Sequence, residues 1–284
     1  MPSTYAHYTF GKQMMEQFPA EWEGLIREHW DLYAIGLHGP DILFYYHPLK
    51  ANSVSQIGFG MHDRPAREFF AHAKQICLAA SDGESALAYA LGFVCHFALD
   101  STCHGYIEKK IEVSKLAHSR IESEFDRMLL ERSGVAPLSA DLTSHIRATR
   151  ESAAVIAPFF ASVTEAQVLT ALRSMRRCSA FLQAAHAPKR LFVKAILRFS
   201  KNYREKSGMM IAKRPVRECA DSNLRLEKLM RSAQAKCLAL AKNFVDFVRG
   251  EAQLDAAFDR TFGPDGDWRA IPVFTEEDER KYSV

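Results

Sequence analysis

Two short runs of the chain pair an imidazole with a carboxylate one helical turn away. His96-Phe97-Ala98-Leu99-Asp100 is followed by His104, and His118-Ser119-Arg120-Ile121-Glu122 repeats the interval with a glutamate. Residues four apart share one face of an α-helix, so each pair presents a nitrogen and an oxygen donor side by side. That donor set suits zinc, at bond lengths of roughly 2.0–2.2 Å. Two such pairs on neighbouring helices of a bundle can be aimed at one interior site. Three further donors lie upstream: His7, Asp41 in the turn Gly39-Pro40-Asp41, and His62 in Gly60-Met61-His62-Asp63. Together the eight positions supply five histidines and three carboxylates. That is too many for one tetrahedral ion, and it matches two or three ions sharing a bridging carboxylate.

Taken singly, each feature has a plainer reading. A His-x-x-x-Asp pair is ordinarily an ion pair on a wet helix face, and a lone buried histidine is ordinarily a hydrogen-bonded core residue. The surroundings of the first pair oppose this. Residues 84–110 read as a long helix in which Ala86, Leu87, Tyr89, Ala90, Leu91, Phe93, Val94, Phe97 and Leu99 leave little polar surface. Ionisable groups within such a helix are paired or bind a metal. His38 and His47 flank Asp41 and are candidates to support the donors from behind. His29, His72, His145 and His186 have no partner at metal spacing and read as surface or core residues.

The elements that must position these donors are helical, because alternating strand patterns are nearly absent. A first helical region is expected over 11–34, with Pro19 as a break or a start, and a loop at 36–41. Helices follow over 64–80, 84–110, 114–133, 140–158, 164–185, 188–203 and 220–249, with an irregular tail after Gly263. The expected fold is an all-α, multi-helix bundle with a metal cluster in its core, formed by residues 1–284 as a single domain.

Composition bounds the rest. With 284 residues, 48% hydrophobic and 25% charged, the chain is too apolar for a disordered protein and long enough to need no disulfide staples. Its six cysteines are scattered without a C-x-x-C pair and read as buried thiols. No glycine-rich phosphate loop and no nucleophile elbow occurs. The N-terminus has neither the basic start nor the apolar core of a secretory signal, and no stretch approaches the roughly 18 apolar residues of a membrane helix. A cytoplasmic protein is therefore expected.

The stretches Met1-Pro2-Ser3-Thr4-Tyr5-Ala6-His7, Gly36-Leu37-His38-Gly39-Pro40-Asp41-Ile42-Leu43-Phe44-Tyr45-Tyr46 and Gly92 through His104, with His118 to Glu122, resemble the zinc-dependent phospholipase C family of bacteria. Fungal single-strand nucleases share that fold. The resemblance covers roughly residues 1–130. It implies three zinc ions: one held by Asp41, His62, His96 and Asp100; a second by Asp100 and His7; a third by His104, His118 and Glu122. Asp41 is then also the candidate general base. Secreted relatives complete the second site with an N-terminal Trp, which this chain lacks; after removal of Met1 the Pro2 amine would take that place. The Asp100–His104 interval is also shorter than in the secreted enzymes.

The expected activity is hydrolysis of a phosphodiester, of a phospholipid or a small phosphorylated metabolite, by in-line attack of metal-activated water. Two alternatives stay open: a nuclease or nucleotide phosphatase using the same metals, and a non-catalytic zinc-binding protein. Net charge is only +3, but residues 187–218 concentrate Lys189, Arg190, Lys194, Arg198, Lys201, Arg204, Lys206, Lys213, Arg214 and Arg217 among Leu191, Phe192, Ile196, Leu197 and Phe199. This segment reads as a solvated face, as a contact with an anionic membrane surface, or, ranked below these, as a nucleic-acid contact in which Phe199 or Tyr203 stacks on bases.

Overall fold

Apolar residues recurring at helical spacing dictate an all-helical chain. In the computed structural model, which describes residues 4–199, 203–264 and 266–284, every regular element among the described residues is helical. In chain order these are α1 (Thr4–Met15), α2 (Ala20–Glu28), α3 (Trp30–Gly36), α4 (Ser53–His62), α5 (Ala66–Ala79), α6 (Gly83–Ser114), α7 (His118–Arg132), α8 (Arg150–Ile156), α9 (Glu165–Leu182), α10 (Ala187–Arg198), α11 (Tyr203–Gly208), α12 (Ala220–Arg249) and α13 (Glu276–Lys281). A 3-10 run, Gly39–Tyr45, joins α3 to α4.

The helix α6 is the axis of the molecule. The Asp82 side chain accepts the Ser85 N–H at 3.0 Å and caps its start, and Lys115 ends it in the left-handed conformation at φ 58. Residues 88–101 are all buried, as expected of a helix apolar on every side. The helices α1, α3, α5 and α12 pack around it. Phe93 stacks on Phe69 with centroids 3.7 Å apart, and Phe97 on Phe258 at 5.6 Å. By length and composition α6 also meets the test for a membrane-crossing helix, which the sequence reading did not expect; 89% of its most apolar window is buried inside the protein.

The contact between α3 and α6 is backbone to backbone. A Cβ on Gly36 would lie 2.3 Å from the Tyr89 carbonyl oxygen, and one on Gly92 would lie 2.2 Å from that of Tyr33. No side chain fits at either crossing position.

Several boundaries differ from expectation. The first helix begins at Thr4, not near 11. The helix α4 was not anticipated, because Gly58 and Gly60 lower its propensity; an Asn52–Ser55 capping box starts it. The expected helix over 140–158 is helical only from Arg150, where Thr149 caps it. Upstream, the Asp141 side chain accepts both the N–H and the hydroxyl of Thr143 at 3.0 Å, forming a turn in place of helix. The helix α10 stops at Arg198, and residues 200–202 lie outside the described ones. All six cysteines are free, and all but Cys178 are buried.

The same substitution should act with opposite sign at two glycines. Gly92→Ala forces α3 from α6 and is expected to cost about 1–3 kcal/mol in a urea melt. Gly24→Ala, where a Cβ meets nothing within 4 Å, should be neutral or stabilise by roughly 0.4–1 kcal/mol.

Candidate metal centre

Five elements deliver the donors. The helix α1 brings His7, the Gly39–Tyr45 run brings Asp41, and α4 ends on His62. The helix α6 contributes His96, Asp100 and His104 in one stripe, and the first turns of α7 contribute His118 and Glu122. Gly39 is required for the approach: its φ is +48, and a Cβ there would lie 2.2 Å from Cδ2 of His96.

Asp100 stands at the centre. Its Oδ1 faces His7 Nε2 at 3.1 Å and His104 Nε2 at 3.7 Å; its Oδ2 faces His96 Nε2 at 3.1 Å and His62 Nε2 at 4.0 Å. Asp41 lies on the second side, with His62 Nε2 at 3.1 Å and His96 Nε2 at 3.8 Å. On the first side Glu122 Oε1 is 3.1 Å from His118 Nε2 and 3.9 Å from His104 Nε2. Two groups result, Asp41–His62–His96–Asp100 and His104–His118–Glu122, and within each the ligand atoms lie within 4.8 Å of one another. His7 belongs to neither group; it faces Asp100 and stacks on the His96 ring with centroids 4.5 Å apart. Residues 1–3, and with them the Pro2 amine, lie outside the described residues.

The protonation of three rings follows from their partners. His62 Nδ1 contacts the Gly58 carbonyl at 2.9 Å, His96 Nδ1 that of Leu37 at 3.2 Å, and His104 Nδ1 that of Phe262 at 2.7 Å. A carbonyl only accepts, so each Nδ1 carries the proton and donates. In the neutral ring Nε2 is then a free lone pair aimed at the carboxylates, which is how metal-ligating histidines are held. Several atoms that face the centre lack other partners: Asp41 Oδ1 and Oδ2, His96 Nε2, Asp100 Oδ2 and Glu122 Oε2 are buried and accept or donate no hydrogen bond within the protein. Each such group costs about 1–3 kcal/mol if left so. Lone pairs that converge without bonding one another are what a cation requires, and the residues present fit zinc.

Without a cation, protons on the rings balance the carboxylates, and a metal would have to displace them. Burial pushes the Asp100 carboxyl up, but His104, His96 and His7 together outweigh it and hold it well below the ordinary carboxylate range. Burial lowers His118, while Glu122 and Glu108 reverse the effect and raise it to about 9.

Sequence reasoning missed several supports. Glu108, 3.6 Å from His118 Nδ1, continues the α6 stripe four residues after His104, which was a usable signal. Asp126, four residues after Glu122, accepts the backbone N–H of Tyr5 at 3.0 Å and Ala6 at 2.8 Å, fixing the first turn of α1 beside His7. The segment after α12 closes over the site. Phe262 gives its carbonyl to His104, and the Gly263 N–H donates to the His62 carbonyl at 3.2 Å.

Of the two flanking histidines, only His38 points inward. It is fully buried, and its Nε2 lies 2.7 Å from Nε2 of His145, whose ring stacks on Tyr8 at 4.2 Å. His145 thus gains a partner no local spacing could reveal. His47 is a correction: the chain leaves the core at Tyr46, and His47, exposed at φ 46, sits edge-on against the Tyr46 ring. His29 forms a surface group with Glu28 and Glu84, twelve residues of α6, or about 18 Å, from His96. A small surface cleft of about 60 Å³ is lined by Glu122 and Asp126 together with Tyr45, Leu138, Leu182, Arg190 and Ile211.

A helical bundle whose central helix carries imidazole and carboxylate donors into a dry core defines a candidate metal protein. Residues 6–172 match the sequence profile of the family described as zinc dependent phospholipase C, and the chain belongs to that family. The match reaches beyond the 1–130 region where motifs are recognisable, and it contains all eight donors. Among curated proteins and solved structures no match is found.

The buried histidine pair predicts acid sensitivity. Burial lowers His145 from 6.5 to about 4, so between these values the unfolded chain binds a proton that the folded chain refuses. Stability is therefore present above pH 6.5 and is lost as pH falls towards 4. His145→Gln, which keeps a hydrogen-bonding group beside His38, should remove up to about 3 kcal/mol of that loss in urea melts taken across the range.

Proposed function

We propose that the protein is a zinc-dependent phosphoesterase that hydrolyses a phosphodiester, with a phospholipid as the substrate class the surroundings favour. The observation that carries this is the convergence of two donor groups on the two oxygens of Asp100, with buried donor atoms lacking partners. Asp41, His62, His96 and Asp100 would hold one zinc, His104, His118 and Glu122 another, and His7 with Asp100 a third.

Zinc supplies Lewis-acid neutralisation of the phosphoryl charge and acidifies water near it. The residues of the chain do the rest. Asp41 presents two buried oxygens without hydrogen-bond partners; one would help hold the metal, and the other would orient the attacking water and accept its proton. Asp100, clasped by four rings, fixes the distance between the two groups. His62 and His118, one in each donor group, are the partly exposed members. The small cleft beside Glu122 sets apolar side chains such as Leu138, Leu182 and Ile211 beside the Arg190 guanidinium and the Asp126 carboxylate, so an ester there would meet both apolar and charged surface.

Elemental mass spectrometry of protein purified without added metal should find two to three zinc ions per chain. Asp100→Ala should lose metal and phosphodiester hydrolysis together; a metal-replete, active variant would overturn the assignment. Asp41→Asn is expected to cut turnover about 100-fold or more while at least one donor group stays loaded. Full zinc occupancy without turnover on phosphatidylcholine, small phosphodiesters or single-stranded nucleic acid would instead make the centre a structural staple.

A further inference from the structure

We propose that α10, with the basic residues of α11, forms a docking surface for an anionic phospholipid membrane. This goes beyond the hydrolytic reading and stands without it.

The helix α10 has two apolar faces where a surface helix needs one. Val193 and Leu197, four apart, are buried and meet Ala184 and Met210 in a small core of their own. At about 100° per residue, Leu191, Phe192 and Phe199 fall on the opposite half of the helix, and Ile196 on the flank beside them. Leu191, Phe192, Ile196 and Phe199 are 68%, 61%, 43% and 92% exposed. The inner pair already supplies the packing that holds the helix, so fold stability does not explain the outer stripe. Large apolar side chains adjacent on a surface mark an interaction site.

Charge identifies the partner. Residues 187–218 hold ten basic and two acidic residues, while the remaining 252 hold 27 basic and 32 acidic. A chain of nearly balanced charge thus gathers its positive excess around this helix. Lys194 and Arg198, four apart and exposed, border the stripe along one edge, and Arg204 and Lys206 follow in α11. Exposed aliphatic and aromatic groups beside cationic side chains are the pattern of a helix lying at the headgroup boundary of an anionic bilayer. Leu191 and Ile196 find no counterpart on nucleic acid, whose bases are read by stacking and polar contacts.

Position completes the argument. Ser119 Oγ donates to the Glu205 carbonyl at 2.6 Å, Arg120 to the carbonyls of Ser207 at 2.8 Å and Met210 at 3.0 Å, and Ser123 Oγ to that of Gly208 at 2.7 Å. The segment after α10 is thereby stapled to the first turns of α7, which carry His118 and Glu122. The membrane-docking helix is thus linked, through α11, to the helix that carries two of the donors.

The test is sedimentation of the full chain with vesicles of phosphatidylcholine alone or mixed with phosphatidylglycerol. The wild type should bind the mixed vesicles and release as salt rises. Phe192→Ser/Phe199→Ser and, separately, Lys194→Glu/Arg198→Glu should each weaken binding at least about tenfold with unchanged melting temperature, since all four side chains are exposed. A wild type that ignores anionic vesicles overturns the proposal. So do variants that sediment like the wild type, and variants that lose single-stranded nucleic acid or self-association while keeping vesicle binding. Sedimentation needs no turnover. Lost hydrolysis with intact binding therefore counts against the reading of the metal centre alone, and the reverse against this surface alone.

Discussion

The carboxylate of Asp100 is the constraint around which the molecule is built. It is a charge on the most deeply buried helix, and an unpaired charge there would cost more than the fold can supply. Four imidazoles from α1, α4 and α6 surround it, two on each oxygen. Much of the architecture follows. The helix α6 must be apolar on every side to reach the centre of the bundle. The chain before α4 must tighten into a 3-10 run to bring Asp41 in, and residue 39 must be glycine because the His96 ring occupies the space of a side chain. The arrangement is coherent when a cation replaces the missing hydrogen bonds, and it is electrostatically frustrated otherwise.

What was legible in the sequence was what repeats locally. The interval of four that unites His96, Asp100 and His104, and again His118 and Glu122, depends only on helical geometry, and the apolar run of α6 announces its burial. His62 was recognised as a donor, but its helix was not, because the glycines that thin α4 also hide its periodicity. His145 had no local signature: its partner His38 lies 107 residues away, and only tertiary packing joins them. The Phe262 carbonyl was beyond reach for a stricter reason, since any residue has one. The stretch before Arg150 misled because its composition is compatible with helix, whereas the turn held by Asp141 competes with it.

The donors and their supports are unevenly distributed along the chain. All eight donors fall before residue 123, inside the family match, while the groups that pin His104 and His62 from outside belong to residues 262 and 263. Arg67 reaches across to Asp259 and to the carbonyl of Leu254, and Ala66 N–H to that of Arg260, so the same late segment is anchored on α5. The region recognisable as a family member thus supplies the chemistry, and chain beyond the match holds it in register.

That clasp has a consequence for biosynthesis. A nascent chain translated through α9 already displays every imidazole and carboxylate of the cluster, yet the carbonyl that sets the tautomer of His104 has not been made. Without Phe262 that ring loses the carbonyl that fixes which nitrogen carries the proton, and which one would face an ion would be unset. An ion held in a fixed geometry would therefore depend on chain that lies well outside the family match.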